Sequence, residues 1–90
     1  MLYAGSASKV WDVELVAVTV ASGASSGTSS ANAEVVGGKI LGITATGNQD
    51  QFVDNVAVSS TGVVTVTLAA NATANNTFKV AILRATWNNA

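Results

Sequence analysis

Stretches of alternating β-branched residues, cut apart by clusters of Gly, Ser, Asn and Thr, leave this chain few folds to choose from. In the VVTVTL run at residues 63–68, Val64, Val66 and Leu68 point one way and Val63, Thr65 and Thr67 the other. That period of two is the signature of a strand with one buried face. Four further stretches read the same way: 9–20, 39–44, 51–59 and 77–85. No segment sustains a helical period. Turn signals at this spacing predict an all-β chain, a small antiparallel β-sandwich or barrel.

The expected organisation is an N-terminal arm at 1–8 followed by a single β domain at 9–90. The arm is small and polar apart from Leu2 and Tyr3 and reads as flexible. In the first strand Trp11, Val13 and Leu15 share one face, whereas Val16, Val18 and Val20 fall on the other. A bulge near residues 14–16, or burial of both faces beyond Leu15, would reconcile them. Residues 21–33 (ASGASSGTSSANA) carry no charge and no bulky side chain, so they are expected to form a flexible loop. Gly37-Gly38 marks a turn or bulge. Phe52, Val56 and Val58 are expected to share a face with Asp54, and Phe78, Val80 and Ile82 to point inward with Lys79 outward.

Composition then removes most chemistry. The 90 residues contain no Cys, no His and no Pro, so a thiol nucleophile, a zinc ribbon and the commonest general base are absent. Four basic residues against five acidic ones cannot neutralise a run of phosphates, so no nucleic-acid partner is expected. The apolar stretch at 15–21 is too short to span a bilayer, and the first eight residues lack the pattern of a secretory signal. A product made in the cytoplasm, with no membrane partner, is the expectation.

Individual residues give no reactive constellation. The many Ser and Thr residues lack a base to activate them, and no enzyme activity, cofactor or small-molecule substrate is expected. Asp50 and Asp54 stand about 13 Å apart along a strand, too far for one cation to bridge. Asp50 is expected to cap a turn, and Asp54 to sit at a sheet edge or subunit contact. Trp11 and Trp87, with Leu2 and Tyr3, are the expected interface residues, because a large amphipathic ring gains most from burial between subunits. At this size burial and chain ordering nearly cancel, which favours a homo-oligomer, with a trimer as the expected state.

Four segments carry a family resemblance: GGKILG at 37–42, GNQDQFVDNV at 47–56, VTVTLAA at 64–70 and ANNTFKV at 74–80. Together they resemble small virion proteins of tailed bacteriophages, most closely head decoration (cement) proteins. The resemblance implies a small β-rich, usually oligomeric body, made in the host cytoplasm and located on the capsid surface. It implies major capsid protein subunits as partner and no catalytic residue. A self-assembling filament, pilus-like, or tail or fibre subunit is the alternative, since a free arm could complete a neighbour's sheet.

Overall fold

The computed structural model describes residues 7–89, with side chains from residue 11 to residue 84. Leu2 and Tyr3 therefore lie outside the described residues, as does the side chain of Trp87. The chain is all-β and forms a small antiparallel sandwich. Six strands run in the order β1 (Ala7–Val20), β2 (Ser26–Thr28), β3 (Lys39–Ala45), β4 (Val53–Val58), β5 (Val64–Leu68) and β6 (Asn76–Asn89). Sheet A has the order β1-β6-β3 and sheet B the order β2-β5-β4.

The core lies between the sheets. Val16, Val18 and Val20 of β1 and Phe78, Val80 and Ile82 of β6 face Val64, Val66 and Leu68 of β5, and all are buried. Val35 and Ala72 close the ends of this layer. The side chains of β5 and β6 thus point as their alternation predicts. In β1 neither expected device occurs. The ladder to β6 runs without a shift from Ala7↔Asn89 to Val20↔Asn76, and Trp11, Val13 and Leu15 remain exposed. Their face is apolar without being covered.

Two other expectations are corrected, those for residues 21–33 and for Phe52. Residues 21–33 are not a free loop: β2 pairs with β5 through Ser26↔Thr67 and Thr28↔Thr65. Backbone bonds Leu68 N to Ser25 O (2.7 Å) and Ala72 N to Ala24 O (2.8 Å) hold its first half. These contacts use main-chain groups, which a side-chain composition does not reveal. Residues 33–35 form a 3₁₀ turn capped by the Asn32 side chain, which accepts from Glu34 N at 3.0 Å. Phe52 is 84% exposed, because a bulge at Asp54 turns both Val53 and Val56 inward and leaves Phe52 outside the sheet.

Both long strands exceed their predicted ends. β1 begins at Ala7, inside the segment read as an arm, and β6 continues to Asn89. β3 pairs with β6 only as far as Lys39↔Leu83. Past that point β1 and β6 continue as a two-stranded ribbon. The molecule measures 55 × 21 × 16 Å, and its radius of gyration is 15.9 Å. A compact chain of this length would have about 12 Å.

Candidate functional site: the outer face of sheet A

Strand alternation places Trp11, Val13, Leu15 and Ala17 on the outer face of β1, beside Lys79, Ala81 and Leu83 of β6. Val13 stands opposite Leu83, and Leu15 opposite Ala81. On the far side of β6, β3 contributes Lys39, opposite Leu83, and Thr44, opposite Lys79. The register between β3 and β6 shifts between Ile40 and Gly42, so Leu41 is the extra residue of a bulge and is 55% exposed. Trp11 (63%) and Leu15 (60%) are as open. Isolated exposed apolar residues mean little, but a contiguous strip on one sheet face marks a surface for covering.

The charges around this face are sorted. Among its described residues there are two ammonium groups, Lys39 and Lys79, and no carboxylate. The nearby acids lie on the opposite face of sheet A, gathered on Arg84. Its guanidinium stands 3.3 Å from Asp12 Oδ2, 3.8 Å from Glu14 Oε1 and 2.6 Å from Glu34 Oε2. Asp12 and Glu14 project inward because they alternate with Val13 and Leu15. Here the 3₁₀ turn at residues 33–35 ends and sheet B no longer covers sheet A, so the inner face meets water, where polar residues belong. Individually such exposed pairs contribute little. The Arg84 side chain is largely buried, and its Nε has no hydrogen-bond partner.

A groove of about 380 Å³ opens where β3 begins, between Trp11, Gly37, Lys39 and Arg84. Its ionisable groups are Glu34, Arg84 and Lys39, and the first two are paired with each other. Among the described residues no hydroxyl side chain lines it. Among the described residues no group of three potential metal ligands occurs.

Asp50 does cap a turn, but one remote in sequence. Its carboxylate accepts from Thr73 N (3.1 Å), Ala74 N (3.2 Å), Asn48 Nδ2 (2.9 Å) and Asn76 Nδ2 (3.0 Å). The fully buried Asn76 returns a bond by accepting from Asp50 N at 2.9 Å. The backbone donor at Thr73 is the main cause that holds this carboxyl far below the usual carboxylate range, and the Asn48 and Asn76 amides assist. Asp50 therefore fastens residues 48–52 to residues 73–76 and is a structural knot. Asp54 sits exposed at the β4 bulge.

Of the four expected interface residues, Trp11 is the one whose side chain is described, and it lies on the apolar face. Trp87 stands opposite Lys9 in the ribbon ladder. Val13, Leu15 and Leu41 complete the patch and were missed. The double apolar pattern of β1 could have flagged the first two, since two apolar faces on a strand with one sheet behind it require a second cover. Leu41 had no such signal. Comparisons with known protein families, with characterised proteins and with solved structures return no match.

Proposed function

We propose that this chain is a structural virion protein: a capsid decoration (cement) protein that stabilises a phage head by binding between major capsid protein subunits. The observation that carries the reading is the exposed strip Trp11, Val13, Leu15 and Leu41 on a sheet face with no carboxylate among its described residues. The resemblance of residues 37–80 to head decoration proteins supplies the setting. Full burial of a large apolar side chain yields about 1.5–3 kcal/mol, so four side chains roughly half exposed offer on the order of 4–5 kcal/mol on docking. Immobilising a partner costs about 4 kcal/mol or more. The face thus needs further contacts to hold, and a site between several capsid subunits supplies them. The reading calls for no catalysis, cofactor or small-molecule substrate, and puts the chain on the capsid surface after synthesis in the host cytoplasm.

Cryo-electron microscopy of heads assembled with and without the chain tests this. Extra density on the outer surface, between capsid subunits and present only with the chain, is expected. A bare head surface, or density confined to the tail, contradicts the proposal. One observation favours a filament or fibre subunit as the second reading: the ribbon of β1 and β6 has open edges to which another strand could be added. Filaments formed by the purified chain alone would favour that alternative.

A further inference from the structure

β1 is the terminal strand of its sheet and is 14 residues long. Natural edge strands are short, or interrupted by Pro, bulges or outward charges, because an open edge recruits other strands. Apart from its single basic residue, Lys9, β1 lacks these protections among its described residues. It contains no Pro, its ladder has no bulge, and its two carboxylates, Asp12 and Glu14, are turned to Arg84 on the inner face.

Its edge is not open along the whole length. Gly27 of β2 lies so near Thr19 O that no Cβ could fit there. Leu15, Val16 and Ala17 share a shallow groove with Ser29 and Asn32. Among the described residues the β1 edge without such a neighbour is therefore Ala7 to Glu14, of which Ala7 to Asp12 belongs to the two-stranded ribbon. A ribbon of two strands is marginal in water without a third strand or a packed face.

We infer that a second copy of this chain covers the strip, pairing β1 with β1 antiparallel about a two-fold axis. The sheet then becomes continuous across two molecules, in the order β3-β6-β1-β1-β6-β3. Charge limits the register. An axis through Asp12 sets that carboxylate against itself, and an axis through Val13 sets Asp12 against Glu14. An axis through Lys9 or Glu14 also opposes like charges, and such pairs are destabilising. Axes through Val10 or Trp11 avoid every like-charge pair. The midpoint of Ala7 to Glu14 falls between these two residues, so the permitted registers are also those that use the whole strip. Either one brings Trp11, Val13 and Leu15 of both copies onto one broad apolar band. The pairing is a property of the isolated chain and holds whether or not the virion reading does.

The absence of Cys from the sequence makes the test direct. Single substitutions Lys9→Cys, Val10→Cys, Trp11→Cys, Asp12→Cys and Val13→Cys would be oxidised at micromolar concentration and followed by non-reducing electrophoresis. Residues on the axis have Cα atoms about 4.5–5.5 Å apart, within disulfide reach, and residues two away face their own copies at about 13 Å. A covalent dimer should form about tenfold faster at position 10 or 11 than two positions away. Light scattering of the unmodified chain should give a dimer. Circular dichroism of each variant checks that it folds, and having two central positions keeps the test sound if one does not. A monomer or trimer, a flat cross-linking profile, or a maximum elsewhere would overturn the inference.

Discussion

Asp50 illustrates how much one side chain can organise in a sandwich poor in charge. It satisfies two backbone donors and one amide in a segment more than twenty residues away, together with the amide of neighbouring Asn48. Because the folded carboxyl binds a proton less readily than the unfolded one, its contribution is complete above the unfolded pKa, near 4. It is lost as the pH falls from there towards the folded value. Melting temperatures measured from pH 7 down to pH 2 should therefore fall steeply below pH 4. Asp50→Asn should melt lower at pH 7 and lose much of that steep fall. A variant with the same acid profile as the parent would remove Asp50 from its place as the knot. Glycines make a second residue-scale contrast. A Cβ at Gly27 would strike the Thr19 carbonyl, whereas one at Gly42 meets nothing within 4 Å. Gly27→Ala should cost about 1–3 kcal/mol, as overpacking does, and Gly42→Ala should be near neutral. Urea unfolding of the two variants checks this.

At the scale of elements, the sequence was legible where side chains do the work and silent where the backbone does. The strands β5 and β6 could be placed face by face because Val64, Val66, Phe78, Val80 and Ile82 alternate without interruption. Removing the largest fully buried side chain, by Phe78→Ala, should cost about 3–5 kcal/mol in the same unfolding measurement. β2 was missed because Ser-Gly-Thr carries no apolar signal, and its pairing with β5 rests on main-chain bonds and on a glycine that lets β2 approach β1. Phe52 was misplaced because nothing in Val-Asp-Asn announces a bulge. The 3₁₀ turn was readable in principle, since Asn32 stands two residues before the acidic Glu34, an ordinary capping arrangement. In β1 the alternation holds, yet neither a bulge nor burial of both faces beyond Leu15 reconciles its two apolar faces, and the outer one stays exposed. The same apolar strip that made the strand ambiguous is the candidate site.

The whole molecule is an elongated body with a packed interior, an exposed apolar sheet face and a long edge strand, β1. Both belong to sheet A, whose alternation places Asp12 and Glu14 on the other face, beside Arg84. Attachment through such a surface depends on burial and backbone hydrogen bonds, so it should be little affected as the Debye length shrinks from about 10 Å at 0.1 M salt to about 3 Å at 1 M. The most direct test compares retention on purified heads of the parent chain and of Leu15→Asp, across that salt range and with EDTA present. Leu15 is 60% exposed, so the substitution should leave the circular dichroism and melting temperature nearly unchanged. The account predicts that the parent remains bound throughout and that Leu15→Asp is lost from the heads while still folded. Equal retention of the two, or release of the parent by moderate salt or by EDTA, would contradict it.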